Sequence, residues 1–156
     1  MRKHITAAVT AVTVLCLWSC DLLNCTQATV DGLRVEFFNG NGEAVALTDT
    51  LTVTACGTDS VIINRNTSTK EIILPLSYHA KEDTFLLHHY GKDYMETETL
   101  YVRKSNYLYY ESPDCPTLFM HKIEALQCAM VFCDSAKLIN ANVNFEGATN
   151  VRLYLP

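Results

Sequence analysis

Few side chains in this sequence stand at a spacing that could support chemistry. His88 and His89 are adjacent, and neighbours on a strand point to opposite faces, so the two cannot grip one metal ion together. A centre built on His79, His121 and either of them would depend on tertiary contacts, and solvated or hydrogen-bonded histidines are the expectation. Glu96 and Glu98 would share a strand face. Glycoside hydrolysis needs carboxylates from opposing elements, so this pair reads as a solvated edge. The Gly-x-Ser-x-Gly elbow of serine hydrolases is absent. No Cys-x-x-Cys supports a redox pair or a zinc site. The sequence therefore predicts no catalytic residue, no metal and no cofactor.

Two other groups could recognise or carry something. Tyr101, Tyr107, Tyr109 and Tyr110 form the richest aromatic cluster. On one strand Tyr101, Tyr107 and Tyr109 share a face while Tyr110 points oppositely. Cross-strand packing accounts for such rings. Exposed, they would make a platform for a sugar ring or a protein partner, because tyrosine joins apolar area to a polar tip. Asp49-Thr50-Leu51, Asp59-Ser60-Val61 and Asp134-Ser135-Ala136 share an order of Asp, hydroxyl and aliphatic residue. It resembles the short O-glycosylation signal of some Gram-negative envelopes. Ser60, at a turn, is the most accessible of the three.

The N-terminal stretch governs where any of these groups would act. Arg2, Lys3 and His4 precede an apolar run from Ile5 to Leu17, the layout of a secretory signal. The run is shorter than the ~20 residues of a membrane-spanning helix, so cleavage is expected. Leu17 and Ser19 ahead of Cys20 resemble the bacterial lipobox, in which the cysteine is acylated and becomes the mature N-terminus; Trp18 departs from the usual small or aliphatic residue. Cys16 and Cys25 fit less well, with Leu15 and Asn24 before them. The predicted organisation is a signal peptide over residues 1–19, a lipidated tether over 20–31 and one β domain over 32–156, a length suited to a single core.

Within that domain, alternation and turn chemistry define short strands. Leu33, Val35 and Phe37 alternate with Arg34, Glu36 and Phe38, and Asn39-Gly40-Asn41-Gly42 turns the chain. That turn lacks the spaced carboxylates of a calcium loop. Leu51, Val53 and Ala55 alternate with threonines. Val61-Ile62-Ile63 and Ile72-Ile73-Leu74 suit central strands, but Pro75 cannot donate to a ladder, so the second ends there or exposes one edge. Strand spacing continues through Thr84 to Tyr90, Thr99 to Glu111 and Thr117 to Leu126. Ile123 to Cys133 fits a strand or a short helix, and Lys137 to Ile139 and Val151 to Leu155 close the chain as strands. The expected fold is all-β, an antiparallel sandwich of immunoglobulin-like architecture, with a small barrel as the alternative.

The full chain carries a formal net charge of −5, and loss of Arg2 and Lys3 would leave it more acidic. No basic stripe is present to displace counterions, which argues against nucleic acid, and no polybasic patch favours an anionic bilayer. After acylation of Cys20, the cysteines Cys25, Cys56, Cys115, Cys128 and Cys133 remain. Two disulfides and a spare thiol among them allow about fifteen schemes.

Cys20 with Cys25, the strand Leu33 to Phe38, Asp49 to Val53, Leu74-Pro75-Leu76, the Cys115 turn and the closing Asn150 to Leu155 strand resemble a family of small uncharacterised Gram-negative envelope lipoproteins with one extracytoplasmic β domain. The resemblance implies the location and the fold and pairs Cys25 with Cys115; it brings no catalytic residue. The functional expectation is a lipid-anchored accessory protein, facing the periplasm from the outer membrane, whose partner is an outer-membrane protein. The alternative is a carbohydrate- or small-ligand-binding lipoprotein that uses the tyrosine strand. Labelled fatty acid fed to cells is expected to enter the wild-type chain but not Cys20→Ala; equal labelling of both would refute acylation there.

Overall fold

The computed structural model describes Cys25 and residues 32–58, 60–113 and 115–156. The predicted signal peptide, Cys20, Asp59 and all of the predicted tether except Cys25 lie outside the described residues. The chain divides into two compact units, one holding residues 110–117 with Cys25 and the other residues 32–109 with 118–156.

The second unit is built of ten strands. They are β1 (Leu33–Phe38), β2 (Leu47–Ala55), β3 (Ser60–Thr69), β4 (Glu71–Leu74), β5 (Glu82–Tyr90), β6 (Met95–Tyr109), β7 (Leu118–Cys128), β8 (Ser135–Leu138), β9 (Asn142–Val143) and β10 (Val151–Tyr154). A four-stranded sheet runs β4-β1-β10-β8 and a six-stranded sheet runs β3-β2-β5-β6-β7-β9. One of the two sheets curls like half a barrel. All neighbouring strands pair antiparallel except β1 and β10, which run parallel with Val35 opposite Val151 and Phe37 opposite Leu153. The stretch that could have been helical, Ile123 to Cys133, is strand as far as Cys128 and then turns.

Alternation places one apolar face of each sheet inward. Leu33, Val35, Phe37, Ile72, Leu74, Val151 and Leu153 from the smaller sheet meet Leu51, Val53, Phe85, Leu87, Leu100, Val102 and Ile123 from the larger in one buried cluster. This is the predicted sandwich. The turn after β1 forms as its composition demands: Asn39 Oδ1 accepts the backbone N–H groups of Asn41 and Glu43 at 3.0 and 2.9 Å, and Gly42 takes φ +81°.

One expected central strand, β3, is an edge instead, while β4 exposes one edge, the outcome that Pro75 left open. β3 and β4 end their respective sheets, and Val61 is exposed. The cause in β3 is local. Its register against β2 slips repeatedly, and Arg65 and Ser68 adopt positive φ, an irregular backbone that leaves no straight ladder for a further strand. Pro75 does stop β4, as its missing N–H requires.

Beyond the apolar middle of β6, the inward row becomes polar. Lys104 is 1% exposed; its Nζ lies 2.8 Å from Asp83 Oδ2 and donates to Ala80 O at 2.8 Å. Asn106 Nδ2 donates to the Tyr78 and Ala80 carbonyls, and its Oδ1 stands 2.8 Å from His121 Nδ1. Tyr78 stacks on His121 at 5.9 Å. These contacts fix the segment between β4 and β5 across the inner face.

Removing the Lys104 charge would strand the Asp83 carboxylate in a largely buried site. Lys104→Met is expected to cost about 3 kcal/mol; an unchanged urea midpoint would contradict this. Burial, then the nearby Lys104 charge, lowers the pKa of His121 from the usual 6.5 against a weaker opposing effect of Asp83. The unfolded chain therefore takes up this proton more readily than the folded one. The associated stability is intact above pH 6.5 and is lost as pH falls from there toward the folded value. His121→Asn should flatten the loss of stability below pH 6.5; urea titrations that stay parallel to wild type would refute it.

Candidate functional site

At the other end of β6, the inward row is also polar, and here it opens to solvent. Cross-strand register lines up Leu51 of β2, His89 of β5 and Glu96 of β6, while Asp49 lies two residues from Leu51 and so on the same face. His89 is buried between the two carboxylates. Its Nε2 is 3.3 Å from Asp49 Oδ2 and its Nδ1 is 3.9 Å from Glu96 Oε2. Neither nitrogen has an aligned hydrogen-bond partner. Phe132 and Tyr94 flank the imidazole at 5.0 and 5.6 Å. The Tyr94 hydroxyl donates to Asp49 Oδ2 at 2.9 Å, and this bond to an anion is the main cause that raises its pKa.

The backbone explains why Tyr94 lies there. A Cβ on Gly91 would fall 2.1 Å from the Tyr94 ring, so only glycine admits the ring across the β5–β6 turn. Gly91 N also donates to Tyr94 O at 3.0 Å. The result is a pocket of about 330 Å³ whose walls include Leu47, Asp49, His89, Tyr94, Glu96 and Phe132.

Glu98 corrects the sequence reading of a solvated pair. It is fully buried on a strand with neighbours on both sides. Its two oxygens accept the Thr99 and Val131 N–H groups at 2.9 and 2.6 Å, which fixes the turn that carries Phe132. Glu96, by contrast, remains partly exposed at the pocket. His88 points to the opposite face from His89, as predicted, and its ring nitrogens lie 3.2 and 3.0 Å from the hydroxyls of Thr54 and Thr97. No group of three His, Cys, Asp or Glu among the described residues is arranged to hold a metal ion.

The cysteines fall into three environments. Cys25 and Cys115 form a disulfide with a Cα separation of 5.5 Å, the pairing implied by the family resemblance. Cys56 is exposed. Cys128 and Cys133, five residues apart and carrying no recognised motif, are brought together across the turn at Met130, where φ is +60°. The Cys133 thiol hydrogen-bonds to the Cys128 sulfur; that contact and burial push the Cys133 pKa up, while the same contact lowers that of Cys128.

Tyr101, Tyr107 and Tyr109 do share the outward face of β6, but their surroundings differ. Tyr101 is half-buried and bonded to Glu82, the main cause of its raised pKa. Tyr109 is half-buried and packs on Phe145 at 5.5 Å. Tyr107 is exposed. Ser60 starts β3 and is exposed. The pocket at His89 was missed because its parts come from separate strands. The usable signal was Asp49 and His89 standing in phase with Leu51 and Leu87, on faces otherwise apolar.

No curated protein and no solved structure matches this chain. A family model matches residues 50–155, from within β2 to just past β10 and thus well over half of the chain, and on that match the chain belongs to the family of unknown function DUF6452.

Proposed function

We propose that this protein is a lipid-anchored accessory protein of the Gram-negative cell envelope, held through Cys20 and facing the periplasm from the outer membrane, with a protein-binding rather than a catalytic role. The observation that carries the reading is the solvent-facing apolar surface at the end of the β6–β7 hairpin. Leu108 is 60% exposed, Tyr78 54% and Phe119 39%. Tyr78 and Phe119 pack together at 5.0 Å, and Leu108 lies opposite Phe119 in the β6–β7 register. Clustered exposed apolar groups of this kind mark interaction sites, and tyrosine and phenylalanine are enriched at them.

The edges of the sheets favour this surface over strand addition. β4 and β8 are each four residues long, and β3 is bulged. Covalent geometry favours a partner near the bilayer. Four residues separate Cys20 from Cys25, five residue steps or at most about 18 Å of extended chain, and Cys25 is bonded to Cys115 in the loop that joins β6 to β7. The partner class is an outer-membrane protein that offers a complementary apolar surface.

A photoreactive residue at position 108, irradiated in intact cells, should yield one defined protein adduct. Tyr78→Ala or Phe119→Ser should reduce that adduct at least fivefold while far-ultraviolet dichroism and melting stay unchanged. Absence of any protein adduct, together with a specific glycan-array signal abolished by Tyr107→Ala, would replace this reading with carbohydrate binding.

A further inference from the structure

We infer that the pocket at His89 is a binding site for a small organic cation that carries a primary ammonium or guanidinium group. The site is separate from the apolar hairpin surface, and the inference stands without the proposed protein partner. Its charge points to the sign of the ligand. Asp49 and Glu96 flank His89, and no lysine or arginine is among the described residues that line the cavity. The carboxylates can thus accept hydrogen bonds from a cation that the protein does not itself supply.

The imidazole strengthens the argument. His89 is nine-tenths buried, yet both its nitrogens lack an aligned partner. Buried polar atoms left in this state cost free energy that a ligand can restore. A neutral imidazole offers one acceptor and one donor. An N–H of the ligand can reach the acceptor nitrogen while others go to Asp49 and Glu96. The Tyr94 and Phe132 rings beside the imidazole supply aromatic surface that attracts ammonium and guanidinium groups. Leu47 adds an apolar wall for a short carbon chain.

The pocket is also built in advance. Gly91 admits the Tyr94 ring, the Tyr94 hydroxyl holds Asp49, and the Glu98 carboxylate holds Val131 and with it the Phe132 wall. Groups fixed before the ligand arrives need not be ordered by it. A cavity of about 330 Å³ accommodates a short alkyl chain bearing one such head. A divalent metal fits less well, since no three His, Cys, Asp or Glu among the described residues, Asp49, His89 and Glu96 included, are arranged to hold one, and an anion would be repelled by both carboxylates.

Titration calorimetry of the purified full-length chain with agmatine and with 1,4-diaminobutane tests this. At least one should bind saturably, with one site per chain. Asp49→Asn and Glu96→Gln should each weaken binding at least tenfold, and Tyr94→Phe several-fold, while Glu124→Gln, on an exposed part of β7, should leave it unchanged. Asp49 and Glu96 are partly exposed, and melting curves would verify that the variants fold. Absence of saturable binding by both amines would overturn the inference, as would affinity unchanged in Asp49→Asn and Glu96→Gln. Tetramethylammonium, which has no N–H donor, bound as tightly as the amines would overturn it too. Binding of calcium or zinc without either amine would assign the pocket to a metal.

Discussion

The parallel pairing of β1 with β10 is the contact on which the sandwich depends. β4 reaches the smaller sheet through β1, and β8 reaches it through β10. Without the central pair, no four-stranded sheet remains to cover Leu51, Leu87 and Leu100. The two strands come from opposite ends of the domain, so closing them costs chain entropy before hydrogen bonds or burial return anything. That return comes from Val35 and Phe37 set beside Val151 and Leu153, all fully buried. Such non-local pairing folds slowly compared with local hairpins. The long antiparallel ladders of β5, β6 and β7 are local by comparison and provide the surface on which the smaller sheet can settle.

β6 crosses the whole domain and shows how one strand serves three environments. Leu100 and Val102 occupy its middle and bind the sheets together. Inward positions on either side carry Glu98 and Lys104, each without solvent contact of any consequence. A buried charge is tolerable only when paired and hydrogen-bonded. Glu98 meets the condition with two backbone amides, and Lys104 with Asp83 and a carbonyl. Both sites use the charge to hold an irregular segment, the turn at Val131 in one case and the residues before β5 in the other. His89 belongs to the same inward layer, but its two ring nitrogens lack the aligned hydrogen bonds that Glu98 and Lys104 have. That difference separates a closed structural network from an open pocket.

Much of the fold was legible because strand alternation is a local property. The faces of β1 and β2, the turn at Asn39, the stop at Pro75 and the opposite orientations of His88 and His89 all follow from residue order alone. Position within a sheet does not. Val61 to Ile63 and Ile72 to Leu74 look like core strands by hydrophobicity, yet which strand has only one neighbour is decided by distant pairings. The same blindness turned Glu98 into a solvated residue, since nothing in its own segment reports that β5 and β7 flank it. The shared face of Tyr101, Tyr107 and Tyr109 was readable. Their unequal exposure was not, because Glu82 and Phe145 come from elsewhere. Cys128 and Cys133 meet through a left-handed residue at Met130, which is not a residue type that announces such a turn.

The disulfide between Cys25 and Cys115 also decides where mechanical load enters the domain. Tension on the chain ahead of Cys25 divides at the two sulfurs, one path running toward β1 and the other into the loop between β6 and β7. β1 alone could be peeled from its neighbours one hydrogen bond at a time. The second path pulls on a hairpin whose strands are joined along most of their length and flanked by β5 and β9. A chain pulled from its N-terminal side is thereby loaded partly through its broadest sheet, and its first strand carries only part of the force.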